Sequence, residues 1–287
     1  MSEPAASTRP TRPLEPLRPT GDARLDGLAK LLAIVDRLRA ADGCPWDLEQ
    51  TVRSMAPSLI EEGYELLEAI ERGDERGAVE EAGDLLMVVV LICKIAEQER
   101  RFDLAAVGEA VADKLVRRHP HVFGDATVRG SAHAIANWEK IKEAERKEKR
   151  EDASALAGVP VALPALQRAH RIGAKAVSAG FRWTDEGGAF EKLDEECAEL
   201  REAYALPAGD TRRAQRIEAE LGDVLVAAAF LGNYLGIDPE RAAREALRRF
   251  ELRFRAMEGE LGGSVRGKAL PELMAAWGRA KRSTGTA

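Results

Sequence analysis

The stretch Glu81-Ala-Gly-Asp-Leu-Leu-Met-Val-Val-Val-Leu-Ile-Cys93 places two carboxylates three residues apart at the start of a continuous apolar run. The run from Leu85 to Cys93 is apolar on all sides, which predicts a buried helix. Apolar residues recur at helical spacing in the preceding segment as well, around Leu59 and Leu66. Aromatic residues make up only 5% of the chain, and no alternating strand pattern is present. The sequence therefore predicts an all-α fold.

A second stretch, Glu220-Leu-Gly-Asp-Val-Leu-Val-Ala-Ala-Ala-Phe-Leu231, repeats this arrangement. Five landmarks occur in the same order in both halves: a tryptophan, an E-x-x-E motif, an E-x-x-D motif, two cations four residues apart, and another tryptophan. In the first half they are Trp46, Glu62, Glu65, Glu81, Asp84, Lys114, Arg118 and Trp138. In the second half they are Trp183, Glu196, Glu199, Glu220, Asp223, Arg249, Arg253 and Trp277. This order predicts a tandem repeat of one helical-bundle domain.

Composition shifts predict where the two copies begin and end. Residues 1–20 contain five prolines and predict a disordered tail. The first copy is expected over residues 21–150, and the second over residues 165–282. A charged segment followed by a stretch rich in alanine, glycine and proline predicts a linker over residues 151–164.

Charge and hydropathy exclude several classes of protein. The net charge of −6 argues against nucleic acid as a partner. The longest apolar run, Leu85 to Cys93, is far shorter than the roughly 20 residues of a membrane span. The N-terminus has no apolar signal segment, and the three cysteines form no C-x-x-C pair. We therefore expect a soluble protein of the cytoplasm.

The eight carboxylates of the E-x-x-E and E-x-x-D motifs are candidate metal ligands. Residues three apart share one face of a helix, so two antiparallel helices could bring four carboxylates together in each copy. The alternative is a solvated acidic face. The motifs occur twice and adjoin predicted buried helices, where unpaired charge is costly, and this favours a metal. All-oxygen ligation indicates Mg²⁺, with Mn²⁺ as a substitute, whereas a di-iron site would require a Glu-x-x-His motif that the chain lacks.

Basic residues near these motifs predict phosphate binding. Lys192 precedes Glu196 by one helical turn, and Arg249 and Arg253 form an i, i+4 pair that Lys114 and Arg118 repeat. Trp277 and Trp138 either stack on a base or pack in a core, and core packing is favoured for each taken alone. Two other motifs carry no site: Gly262 to Ala269 lacks the Ser or Thr of a phosphate-binding loop, and His119-Pro-His121 lacks further metal ligands.

Several longer motifs together resemble the MazG nucleoside triphosphate pyrophosphohydrolases. They are Gly43-Cys-Pro-Trp-Asp47, Glu61-Glu-Gly-Tyr-Glu65, Asp113-Lys-Leu-Val-Arg-Arg-His-Pro-His-Val-Phe123 and Gly180-Phe-Arg-Trp183. The resemblance covers roughly residues 25 to 280. It implies tandem all-α domains, a homodimer with bundles completed between subunits, Mg²⁺ on the carboxylates, and action on NTPs and dNTPs. It also implies nucleotide contacts from Lys192, Arg249, Arg253 and Trp277.

The sequence thus predicts Mg²⁺-dependent hydrolysis of nucleoside triphosphates to monophosphate and pyrophosphate. Glu195, beside the ligand Glu196, is a candidate general base, or else a solvated helix residue. Ser58 stands four residues before Glu62, where the second copy has Lys192, so most activity is predicted in the second copy. The alternative is a non-catalytic helical module that binds nucleotide or a partner protein. The paired carboxylate sets argue against it, because binding alone would not require them.

Overall fold

The computed structural model describes residues 19–148, 152 and 154–285, and these residues form twelve α-helices and no strand. The predicted all-α class is confirmed. The predicted disordered tail, residues 1–20, lies outside the described residues apart from residues 19 and 20.

The chain divides into two compact units, Met1–Glu143 and Ala144–Ala287. The first contains α1 (Ala23–Leu38), α2 (Pro45–Glu49), α3 (Ala56–Arg72), α4 (Glu75–Gln98), α5 (Leu104–Arg118), α6 (Pro120–Phe123) and most of α7 (Ser131–Glu148). The second contains α8 (Ala165–Ser178), α9 (Glu186–Ala205), α10 (Arg213–Leu235), α11 (Pro239–Glu260) and α12 (Leu270–Ser283). The tandem all-α organisation agrees with two units, while the predicted domain and linker bounds stay predictions.

A tight turn joins α3 to α4 in the first unit. Gly73 ends α3 in the left-handed conformation, with φ of 68°, which glycine adopts without steric cost. Asp74 then caps α4, because its carboxylate accepts a hydrogen bond from the Gly77 amide at 2.9 Å. The two helices therefore run antiparallel after only two connecting residues. The helix α4 also packs on α1, in a core around Val35, Val88 and Leu91.

The corresponding helices of the second unit, α9 and α10, are joined by the longer segment 206–212. Arg213, at the start of α10, donates to the Tyr204 carbonyl at 3.0 Å and so ties the two helix ends together. On its other side α10 packs closely on α8 through glycine and alanine. A Cβ added to Gly173 would lie 3.0 Å from the Phe230 ring, so a larger residue does not fit this contact.

The prediction that both apolar runs are fully buried is wrong in part. Leu86 of α4 is 45% exposed, while Leu225 and Val226 of α10 are 50% and 42% exposed. The main neighbours of α4 are α1 and α3, and those of α10 are α8 and α9. These neighbours leave part of each apolar run exposed, although the run is apolar all round.

Among the described residues, no single helix is long and apolar enough to cross a membrane. The bent pair formed by α10 and α11, with an angle of 108° between them, passes the length and composition criteria only when the two helices are taken together.

Candidate metal centres

The first group of carboxylates lies on the facing sides of α3 and α4. Glu62 comes from α3, and Glu81 and Asp84 come from α4, one helical turn apart. One oxygen from each residue lies within 4.8 Å of the others. We call these three residues the first cluster. Glu65 is exposed and stands outside this group of three, although it is close enough to repel Glu62 and Glu81 electrostatically.

Burial and mutual repulsion raise the pKa of two carboxyl groups in the first cluster. Partial burial raises the pKa of Glu62, and repulsion from Glu65 and Asp84 raises it further. Burial likewise raises the pKa of Glu81, followed by repulsion from Glu65 and Asp84. Within the described part of the chain, no lysine or arginine forms an ion pair with the first cluster. A bound cation would remove this repulsion.

The second group lies between α9 and α10, with two carboxylates on the first helix and one on the second. Glu196 and Glu199 of α9 and Glu220 of α10 each place an oxygen within 4.8 Å of the others. We call these three residues the second cluster. Glu196 is the most enclosed of them, at 8% exposure. Asp223, the remaining predicted ligand, is exposed and lies outside this group of three, so its metal-binding role stays a prediction.

Two cations are bonded to the second cluster. The Lys192 ammonium lies 2.8 Å from Oε1 of Glu196 and 2.8 Å from Oε1 of Glu195, and these contacts raise the lysine pKa. The guanidinium of Arg216 lies 3.3 Å from Oε1 of Glu220. We call Lys192 and Arg216 the cluster cations. Burial and repulsion from Glu196 and Glu220 raise the pKa of Glu199, while Lys192 opposes that rise.

Sequence reasoning identified Lys192 but missed Arg216. The signal was the same in both cases, since each cation precedes its carboxylate partner by four residues on one helix. At the matching positions of the first copy stand Ser58 and Gly77. The amide of Gly77 is capped by Asp74, and a Cβ there would lie 2.7 Å from an Asp74 carboxylate oxygen. The first cluster therefore has no counterpart of Lys192 or Arg216, and the sequence alone shows this difference.

The other predicted nucleotide contacts of the second copy lie on a different hairpin. Arg249 and Arg253 belong to α11 and Trp277 to α12; these helices pack mainly on each other. The Trp277 ring is 5.1 Å from the Phe250 ring and packs against the small core around Met257. The core interpretation of Trp277 thus has direct structural support, while the nucleotide-binding roles of all three residues stay predictions.

In the first unit, two cations lie near the ring of Trp138. The guanidinium carbon of Arg118 lies 5.6 Å from the Trp138 ring centre, and the Lys142 ammonium lies 4.2 Å from it. Lys114 is on α5, one turn before Arg118. His119 ends α5, and its Nδ1 lies 2.6 Å from the Leu115 carbonyl oxygen, which agrees with a turn role for the His-Pro-His segment.

Both clusters fit a hard divalent ion by their donor chemistry. Each offers only carboxylate oxygens, the ligands that Mg²⁺ and Mn²⁺ prefer. Octahedral Mg²⁺ with bonds of about 2.1 Å places its ligand oxygens about 3–4 Å apart, which is compatible with oxygens that lie within 4.8 Å of one another in each cluster. Only the second cluster combines this donor set with cations of the kind that bind phosphate.

Comparisons with known proteins identify the family of this chain. Residues 50–123 match the model of the MazG nucleotide pyrophosphohydrolase domain, a range that contains the whole first cluster. The chain is 40% identical over 266 residues to a protein of Escherichia coli K12 named nucleoside triphosphate pyrophosphohydrolase, covering 90% of this chain and 98% of the relative. It is 39% identical over 229 residues to a Thermotoga maritima protein named nucleoside triphosphate pyrophosphohydrolase/pyrophosphatase MazG, covering 80% and 84% of the two chains. Identity at this level, over nearly the full length of the Escherichia coli relative, means that the chain belongs to the MazG family of nucleotide pyrophosphohydrolases.

Proposed function

We propose that this protein hydrolyses nucleoside triphosphates, both NTPs and dNTPs, to the monophosphate and pyrophosphate in a reaction that requires Mg²⁺ or Mn²⁺. The names of its relatives support the reaction class. The observation that carries the proposal is the second cluster, where three carboxylate oxygens within 4.8 Å adjoin the cationic side chains of Lys192 and Arg216. A metal and a triphosphate each find their preferred partners there.

In this proposal Glu196, Glu199 and Glu220, together with Asp223, hold the metal. The chemistry that such an ion supplies is neutralisation of phosphate charge and acidification of the attacking water. Lys192, Arg216, Arg249 and Arg253 hold the phosphates. Glu195, which is adjacent to Glu196 and has a side chain that is 56% exposed, accepts the proton of the water.

We place most of the activity in the second copy. A triphosphate carries roughly four negative charges, so holding it near carboxylates requires fixed cations as well as metal. The first copy offers Lys114 and Arg118 but has Ser58 and Gly77 in place of the cluster cations. Each missing charge-assisted contact costs about 1.5–3 kcal/mol, which corresponds to roughly 10- to 150-fold in affinity.

We further propose that the protein forms a homodimer. On α5, Val107, Val111 and Leu115 form an apolar stripe at i, i+4 and i+8, and they are 37%, 41% and 48% exposed. On α11, Leu247 and Phe250 are 62% and 52% exposed. Apolar stripes of this kind are normally covered by another helix. Sedimentation equilibrium of the wild type should give twice the chain mass, and Val111→Asp should shift it towards the monomer.

The central test is an assay of the products. Purified protein is incubated with dATP and Mg²⁺, then with a panel of NTPs and dNTPs, and the products are separated by anion-exchange chromatography. We expect monophosphate and pyrophosphate in equal amounts, and no reaction in EDTA. Release of orthophosphate with nucleoside diphosphate would refute the reaction class. Nucleotide binding without any product would instead establish the rival function, a non-catalytic binding module.

A further inference from the structure

We propose that the cluster cations, Lys192 and Arg216, make metal uptake at the second cluster depend on the nucleotide. In this scheme they compete with a divalent ion for Glu196 and Glu220 until a triphosphate draws them away. The ion and the triphosphate then bind together, whereas the first cluster takes up an ion without nucleotide. The inference rests on the proposed function insofar as the second cluster is taken to bind a triphosphate.

The competition follows from the atoms that the cations contact. Lys192 is bonded to Oε1 of Glu196, and Arg216 to Oε1 of Glu220. Glu196 and Glu220 also contribute oxygens to the group of three that lies within 4.8 Å. An ion bound to these two carboxylates at about 2.1 Å would lie close to an ammonium and a guanidinium, and like charges at that range repel strongly. The ion must therefore displace both cations or bind weakly.

The exposure of the side chains shows which groups can move. The side chains of Lys192 and Arg216 are 35% and 45% exposed, while those of their partners Glu196 and Glu220 are only 10% and 14% exposed. The cations can thus turn outwards without unpacking the helix pair, and the carboxylates stay where they are. A triphosphate offers oxygens to which Lys and Arg bind at least as well as to carboxylates. Its arrival would free the carboxylates for the ion.

The first cluster provides the internal comparison. Ser58 and Gly77 occupy the positions of the cluster cations, and in the described part of the chain no ion pair reaches Glu62, Glu81 or Asp84. An ion entering there displaces no cation and removes repulsion among the carboxylates. Two sites with the same donor chemistry should therefore differ in whether they need nucleotide.

The experiment measures Mn²⁺ binding by electron paramagnetic resonance on the full chain. Mn²⁺ stands in for Mg²⁺, and α,β-methylene-dATP, which resists cleavage between its first two phosphates, stands in for the substrate. To isolate the second cluster, the first is removed by Glu62→Gln with Glu81→Gln. In that background we expect the analogue to tighten Mn²⁺ binding by about 10-fold or more. Adding Glu220→Gln to the same background should abolish this binding.

The decisive variant gives the second cluster the surroundings of the first. Lys192→Ser with Arg216→Ala should let the second cluster bind Mn²⁺ about 10-fold or more tightly without the analogue, and should weaken binding of the analogue itself. The matched control is Ser58→Lys in a chain whose second cluster is removed by Glu196→Gln with Glu220→Gln; it should weaken Mn²⁺ binding at the first cluster. Gly77 is left unchanged because Asp74 crowds it.

Equal Mn²⁺ affinity at the second cluster with and without the analogue would overturn the inference. So would an unchanged affinity in the Lys192→Ser/Arg216→Ala variant that retains the wild-type circular dichroism spectrum. Pyrophosphate release is assayed separately. Linked uptake of Mn²⁺ and analogue in a protein that releases no pyrophosphate from dATP would refute the proposed hydrolysis and support this inference.

Discussion

The two carboxylate clusters both consist of three carboxylates on an antiparallel helix pair and share two corresponding positions, yet their electrostatic surroundings differ. The first cluster contains three carboxylates that repel one another, and burial and repulsion raise the pKa of Glu62 and Glu81. The second cluster is partly neutralised by Lys192 and Arg216. The residue one helical turn before a cluster carboxylate thus determines the local charge: Lys192 and Arg216 in the second copy, and Ser58 and Gly77 in the first. In our proposal both copies of the duplicated fold keep carboxylates that bind metal, while the second copy alone keeps Lys192 and Arg216 to hold a triphosphate.

The largest expected effect is on turnover. Glu220→Gln should lower the rate of pyrophosphate release by about 10²-fold, the scale observed when one electrostatic stabiliser of a transition state is removed. The matching change in the first copy, Glu81→Gln, should leave the rate within about a factor of 2, since we place little catalysis there. Steady-state assays with one nucleotide panel compare the two variants directly.

A reversed result, with Glu81→Gln inactive and Glu220→Gln active, would move the active site to the first copy. Equal losses of about half in each would mean that both copies are enzymes and that the cluster cations are dispensable. Circular dichroism spectra of both variants serve as the folding control.

A smaller effect, on the free energy of unfolding, is expected where the helices of the two units pack differently. The first unit packs α4 on α1 through large side chains such as Leu91 and Val35, whereas the second packs α10 on α8 through Gly173. Gly173→Ala should lower the free energy of unfolding by about 1–3 kcal/mol, because the new methyl group crowds Phe230 and the amide of Asn233. Urea denaturation with a fixed m-value measures the change.

Gly63→Ala is the matched control for this prediction. Gly63 also lies within a helix, but an added Cβ would meet no atom within 4 Å. This substitution should stabilise the protein by about 0.5–1 kcal/mol through higher helix propensity. If Gly173→Ala stabilised the protein equally, the close contact between α8 and α10 would be absent in solution.

The smallest expected effect is the pH dependence of stability. In the folded protein the pKa values of Glu62 and Glu81 are raised above the ordinary value of 4.5. Between pH 4.5 and these raised values, the folded protein therefore binds more protons than the unfolded chain does. Stability from these groups is therefore fully present below pH 4.5 and is lost as the pH rises through the raised values. In EDTA, Glu62→Gln with Glu81→Gln should raise the Tm at pH 8 more than at pH 4.

The second cluster supplies the contrast for this measurement. Glu199→Gln should show the same trend more weakly, because Lys192 opposes the rise in the pKa of Glu199. Differential scanning fluorimetry from pH 4 to pH 8 resolves both differences. A Tm difference that does not vary with pH would show that repulsion within the first cluster is negligible.

Much of the candidate site could be predicted from the spacing of residues along single helices. The i, i+3 carboxylates and the i, i+4 contact of Lys192 with Glu196 were predictable, because they depend only on helix geometry. The rotation of each helix within its pair was not predictable from sequence. It leaves Glu65 outside the first group and Asp223 outside the second. The open faces around Leu86 and Leu225 were also missed, since an apolar run does not reveal which side its own chain covers.

The two-residue turn between α3 and α4 has a consequence for folding kinetics. Gly73 stops one helix and Asp74 starts the next, so the loop that must close is very short and the entropy lost on closing it is small. Pairing of these helices uses contacts that are local in sequence, which favours early formation. We therefore expect the same pairing, which places Glu62 near Glu81 and Asp84, to form early in folding. Divalent cations should therefore accelerate refolding of the first unit, by lowering the barrier that repulsion within this hairpin creates.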